Sequence, residues 1–265
     1  MRPALRVEGP TSGPVALFFH PFPLHAGAWE EMLAACAAAG WRAAAFDAPG
    51  FGAAPPLGRP LTMDLLAEMG AAALDILGAA SAALVGCSMG GYAMMAFARK
   101  FPQRMDAAVL IATKASADTE EARKNRERQA ALALDKGASA VISEVVPKML
   151  APGTPEAIRR RVDELASRAT PQGIADALRG MALRPDSTSD LPRWKAPTLA
   201  IAGAQDQLIP RAEMEKIARS VPAARLEFIE GTGHLPFLEK PREVAPILTA
   251  HLRAARARAP HPRPL

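Results

Sequence analysis

Gly86-Cys87-Ser88-Met89-Gly90-Gly91 is the stretch whose reading decides the fold. It lies inside a longer run, Ile76 to Ala98, that carries no charged side chain. By length alone that run matches a membrane-spanning helix, which takes roughly 20 apolar residues. Gly78, Ser81, Gly86, Ser88, Gly90 and Gly91 break it up, however. It divides better into a helix end, a buried strand over Ala82–Val85, a sharp turn, and a helix over Gly91–Phe101 stopped by Pro102. A strand that turns straight into a helix leaves little room. Glycine two residues either side of Ser88 lets the neighbouring backbone approach, and the serine hydroxyl is held out at the tip. The Met89 amide then opens the helix, where its N–H has no intrahelical acceptor and faces any negative charge that develops on a reacting group.

The flanking sequence repeats the strand–helix alternation. Val15–Phe19, Arg42–Phe46 and Ala107–Ile111 read as strands, and Trp29–Ala39 has helical spacing. Thr62 is the expected N-cap of an amphipathic helix ending at Leu77. Such alternation predicts an α/β fold, a mostly parallel central sheet flanked by helices. From about Ser116 to Leu191 no strand is expected. Glu120–Leu134, Ser139–Leu150, Pro155–Ala169 and Pro171–Met181 all look helical. The alternation resumes with strands at Thr198–Ala202 and Arg225–Ile229, a helix at Ala212–Arg219 and a closing helix at Pro241–Ala255. Residues 1–115 and 192–250 therefore read as one discontinuous core, 116–191 as a helical cap inserted into it, and 251–265 as a basic, poorly ordered tail.

A serine hydroxyl is a weak nucleophile until a base takes its proton. His234 follows the last strand in Gly231-Thr232-Gly233-His234, a loop able to swing over a neighbouring strand end, and is the candidate base. The base needs an acid to fix its tautomer. Asp206 lies just past the Thr198–Ala202 strand and fills that role, with Asp118 as the fallback. The chain order Ser88, Asp206, His234 is the one expected when the serine sits on a nucleophile elbow.

These pieces resemble the α/β-hydrolase fold family, and within it the serine esterases and 3-oxoadipate enol-lactonase-like members with a helical cap. The matching segments are His20 to Leu24 with Trp29, Asp47 to Gly52, Gly86 to Gly90, Gly203 to Pro210, and Gly233-His234, so the likeness runs from Leu17 to about Ala250. The resemblance implies that Phe22 supplies a second oxyanion amide beside that of Met89. Pro21 stands where the family often has glycine, but the amide required belongs to Phe22. His20 is expected to be structural, bonded beneath the loop. His25, Met149, Met181, Trp194 and Phe237 are candidates to line the substrate pocket, with surface exposure the rival reading for His25 and core packing for the others.

The chain has 265 residues, a formal charge of +5 and a pI near 9.6, a balance that raises nucleic acid as a partner. His251–Leu265 holds four arginines and no acid, and without it 28 basic residues face 27 acidic ones. The excess belongs to the chain end, so neither nucleic acid nor membrane is the expected partner. Cys36 and Cys87 make no disulfide framework, and a cytoplasmic setting is expected. There is no His-Glu-x-x-His, no G-x-G-x-x-G followed by an acid and no P-loop, so no metal and no cofactor is expected. The expected activity is cofactor-free hydrolysis of a small-molecule ester, thioester or lactone through an acyl-enzyme. A haloperoxidase-like or carbon–carbon bond hydrolase, or a non-catalytic receptor on the same fold, are the alternatives.

Overall fold

A computed structural model describes residues 2–258. Along the chain run β1 (Leu5–Glu8), β2 (Val15–Phe19), α1 (Glu30–Ala38), β3 (Arg42–Phe46), α2 (Met63–Leu77), β4 (Ala82–Cys87), α3 (Met89–Lys100) and β5 (Met105–Ile111). Then come α4 (Glu120–Lys136), α5 (Ala138–Val145), α6 (Glu156–Ala166) and α7 (Pro171–Ala182). The chain closes with β6 (Thr198–Gly203), α8 (Arg211–Ser220), β7 (Arg225–Ile229), α9 (Pro236–Glu239) and α10 (Pro241–Arg258). Among the described residues the strands form one seven-stranded sheet in the order β1-β3-β2-β4-β5-β6-β7. Only the β1–β3 pair is antiparallel.

Successive residues of a strand point to opposite faces, and β2 shows what this does. Leu17 and Phe19 join one core with Leu66 and Phe97 of α2 and α3. Ala16 and Phe18 join the other, with Leu33 of α1 and Leu248 of α10. Both faces are covered, which is why the inner strands read as continuous apolar runs. The run that resembled a membrane span is divided as expected, between the last residues of α2, then β4 and α3. Among the described residues no helix is long and apolar enough to cross a membrane.

The parallel register sets the site. Phe19 pairs with Gly86, Cys87 with Ile111, Ile111 with Ile201, and Gly203 with Ile229. The C-terminal ends of β2, β4, β5, β6 and β7 are thus level, and the loops that follow them share one edge of the sheet, where open α/β sheets bind ligands. α4 to α7 are inserted between β5 and β6.

Two expectations are corrected. β1 is a strand that the sequence did not announce, because Arg6 and Glu8 interrupt it and it lies half-exposed at the sheet edge. The closing helix also runs on to Arg258, past the boundary placed at residue 251. His251, Leu252 and Ala255 are buried while Arg253 and Arg256 are exposed, so those two arginines are the outer face of a packed helix and not part of a loose tail. Residues 259–265 of the expected tail lie outside the described residues.

Candidate active site

Ser88 joins β4 to α3 with φ 52° and ψ −112°. A non-glycine residue in that conformation costs about 1–3 kcal/mol, so its surroundings must hold it there. The Ser88 amide donates to the Ile111 carbonyl (3.0 Å), and the Ser88 carbonyl accepts from the Tyr92 amide (3.1 Å) and from Thr113 Oγ1 (2.9 Å). The two glycines of the elbow are needed for close approach. A Cβ at Gly90 would lie 2.1 Å from the Phe19 carbonyl oxygen, and one at Gly86 would lie 2.6 Å from that of Gly90.

His234 and Asp206 meet from the loops after β7 and β6. His234 Nδ1 lies 2.9 Å from Asp206 Oδ2, and both side chains are almost wholly buried. The other carboxylate oxygen accepts from the Leu208 and Ile209 amides at 2.8 and 3.1 Å. Burial pushes the Asp206 carboxyl up, but the His234 imidazole and the two amides outweigh it and leave the pKa below the usual range. An ionised Asp206 accepts only, so Nδ1 must carry a proton, and in the neutral imidazole Nε2 is then the nitrogen with the lone pair. His234 and Ser88 line the same cavity, of about 300 Å³.

The His234 loop is fixed from behind. The His234 amide donates to the Met149 carbonyl (2.8 Å), and the Gly233 amide donates to Glu239 Oε1 (2.8 Å). Glu239 is buried, and its Oε2 accepts from the Ala151 amide (2.9 Å) and Thr154 Oγ1 (2.5 Å).

Phe22 lies in the turn after β2, beside the elbow, and lines the cavity too. His20 ties this turn down, since its Nε2 accepts from the Ala48 amide (2.9 Å) and its Nδ1 lies 3.0 Å from the Pro21 carbonyl. Those two bonds require a proton on Nδ1 and none on Nε2. Burial lowers the His20 pKa to about 4 against the raising pull of the Pro21 carbonyl and Asp47. Pro21 does not unmake the turn, as its carbonyl accepts from the Leu24 amide at 2.9 Å.

Of the five side chains expected to line the pocket, only Met181 does. His25 caps the short helical turn Ala26–Trp29 by accepting from the Gly27 amide, and it sits 3.7 Å from Asp47 beside a separate hollow. Met149 offers its carbonyl to His234 and buries its side chain in the core. Trp194 lines another cavity, with Arg99 and Met105. Phe237 stacks on Trp29 with ring centroids 4.0 Å apart. The fallback acid, Asp118, is bound instead by Arg184 and Arg126. Sequence reasoning missed Leu208 and Ile209, whose only signal was two apolar residues directly after the Asp206 turn, and it missed Tyr92, Lys114, Arg126, Lys148 and Leu178. Among the described residues no three His, Cys, Asp or Glu side chains group to hold a metal ion.

A family model described as the alpha/beta hydrolase fold matches residues 14–241. A pimeloyl-[acyl-carrier protein] methyl ester esterase of Chromobacterium violaceum is 27% identical over 255 residues, covering 94% of this chain and 98% of that one. A poly(3-hydroxyalkanoate) depolymerase of Ectopseudomonas oleovorans is 30% identical over 224 residues, covering 83% and 78%. Among solved structures, a malate-bound thermophilic esterase from Thermogutta terrifontis superposes with a TM-score of 0.91 at 32% identity, over 95% of this chain and 93% of that one. With that match over most of its length, on a parallel sheet whose elbow carries Ser88, the chain belongs to the α/β-hydrolase fold family.

Proposed function

We propose that the protein is a cofactor-free serine hydrolase that cleaves a small-molecule carboxylic ester, thioester or lactone through an acyl-enzyme. The observation that carries this reading is one cavity lined by both Ser88, on its left-handed elbow, and His234, whose Nδ1 is bonded to Asp206. The neighbours named as esterases support an ester bond as the one cleaved.

In this reading Ser88 Oγ attacks the carbonyl carbon while His234 Nε2 takes its proton. Asp206 keeps the imidazole in the required tautomer and stabilises the imidazolium. The amides of Met89 and Phe22 face the oxyanion, each worth roughly 3 kcal/mol in the transition state. His234 returns the proton to the leaving alcohol, thiol or enol. It then activates water, which releases the acid and restores Ser88. The helices inserted between β5 and β6 cover the cavity and limit water and substrate size.

Incubation with a fluorophosphonate probe and with short p-nitrophenyl esters tests this. Label on Ser88, and turnover lost in both Ser88→Ala and His234→Ala, is the expected result. Folded wild-type protein that neither takes the label nor turns over any ester refutes the reading.

A further inference from the structure

The cavity has an ionic wall that the hydrolytic chemistry does not use. Lys114, Asp118, Arg126, Glu144 and Lys148 line it alongside Ser88. Its two acids are already claimed. Glu144 is bonded by Arg128 at 2.6 Å from outside the lining. Asp118 is held by Arg184 at 2.9 Å, and both of these side chains are buried. Arg184 is itself fixed, lying over the Tyr92 ring at 4.0 Å and donating to the Met181 and Ser116 carbonyls.

Arg126 and Lys114 therefore share a carboxylate that already has a full partner. Arg126 reaches it only through Nε, its Nη1 lies 3.5 Å from Met181 Sδ, and its Nη2 has no partner among the described residues. Lys114 stands 3.4 Å from Asp118. Lys148 has no ion pair among the described residues. Glu213, which accepts from Ser116 Oγ at 3.1 Å, and Asp186, which accepts from the Ala117 amide at 3.3 Å, do not line the cavity. Among the described residues that line the cavity, two acids face three cations, Lys114, Arg126 and Lys148, and both acids are also held from outside the lining, by Arg184 and Arg128. Lys114 and Arg126 are half-buried and share one carboxylate, while Lys148 is exposed and unpaired among the described residues. Cations so placed favour an anion that can enter, and charge-assisted bonds to a carboxylate or phosphate are the strong ones.

We infer that the substrate of this site carries a second, ionised oxyanion group, carboxylate or phosphate, remote from the bond being cleaved. Arg126, Lys114 and Lys148 hold that group while the ester faces Ser88. This assignment rests on the hydrolase reading above and adds the substrate class to it.

The test uses the full chain and p-nitrophenyl esters in matched series of acyl length. One series ends in a carboxylate, one in a phosphonate and one in a neutral methyl ester, with nitrophenolate release as the readout. At the best length one anionic series should exceed its neutral counterpart by about 10- to 100-fold in kcat/KM. The preferred anion identifies the source of the charge, and the preference should shrink as salt is added. Lys148→Met and Arg126→Met should each lower the anionic-to-neutral ratio by about tenfold. Lys148 bonds no carboxylate among the described residues, so its variant still decides the question should loss of Arg126 unfold the Asp118 cluster. Wild-type protein that hydrolyses the neutral esters as well as both anionic series overturns the inference and leaves the hydrolase intact. So does a ratio that neither variant moves. Wild-type protein that hydrolyses no ester of any series refutes the hydrolase reading itself.

Discussion

Replacing Glu239 with alanine strips the acceptor from three buried donors at once: the amides of Gly233 and Ala151 and the hydroxyl of Thr154. The hydroxyl can turn to another acceptor, but the two amides cannot. A buried amide left unpaired costs about 1–3 kcal/mol, so the variant should lose about 3–5 kcal/mol. That is a large share of the roughly 5–15 kcal/mol typical of a folded domain. Glu239→Gln keeps one acceptor oxygen and presents an NH₂ group to the remaining donors, and should lose about half as much. Urea unfolding of the three proteins measures this, provided the denaturant slope stays constant. Activity on a neutral p-nitrophenyl ester adds an independent reading. Gly233 precedes His234, so a loosened loop misplaces the imidazole, and a displacement of about 1 Å is worth about 100-fold. The loss should fall on kcat and leave KM nearly unchanged. An alanine variant destabilised by less than about 1 kcal/mol, with wild-type kcat, would refute the claim that Glu239 holds the base in place.

Asp206→Asn should lower kcat by about 10⁴-fold while the protein stays folded, because an amide that donates to Nδ1 reverses the tautomer; a loss below about tenfold would count against His234 as the base. His20 is held down at about 4 in the fold, against about 6.5 for a free imidazole. The unfolded chain thus binds a proton that the native one does not, and stability falls as pH drops from about 6.5 to about 4, by about 3 kcal/mol from this group. His20→Gln should flatten that interval in a pH series of urea titrations, and an unchanged slope would remove His20 as its source. Leu252→Ala should cost about 2–5 kcal/mol, since Leu252 is fully buried on α10. Wild-type stability in that variant would return the segment to the status of a loose tail.

The elbow was legible because everything it needs is local: an apolar strand, glycines around Ser88 and a helix. Asp206 was legible for the same reason, by its place just past a strand end. Asp118 also lies near a strand end, and nothing local separates the two. What separates them is Arg126 on α4 and Arg184 after α7, both brought to Asp118 by packing. The pocket was the least legible part. Apolar periodicity tells which side chains are buried but not what they face. Trp194 and Phe237 are as buried as a pocket residue would be, yet one lines another cavity and the other stacks on Trp29. At the end of the chain the closing helix was legible through Ala255, but the arginines among its apolar positions drew the start of the tail back to residue 251, inside a helix that Leu252 and Ala255 pack against the core.

The insertion between β5 and β6 does more than roof the cavity. His234 is held at several points, and Asp206 supplies one of them, the Cys87 thiol another by donating to the His234 carbonyl. The His234 amide is bonded to Met149, and the Gly233 amide shares Glu239 with Ala151 and Thr154. Arg159 of α6 tightens the same turn by donating to the carbonyls of Ala151, Pro152 and Thr154. The backbone of the proposed base is therefore anchored to the middle of the insertion, and the turn 149–154 cannot move far without taking His234 with it. The ionic wall straddles that tie: Arg126 on α4 lies outside it, whereas Lys148 directly precedes Met149. The insertion thus joins the anchor of the proposed base, at Met149, to the cations proposed to meet a charged substrate, Lys148 being both next to that anchor and one of those cations.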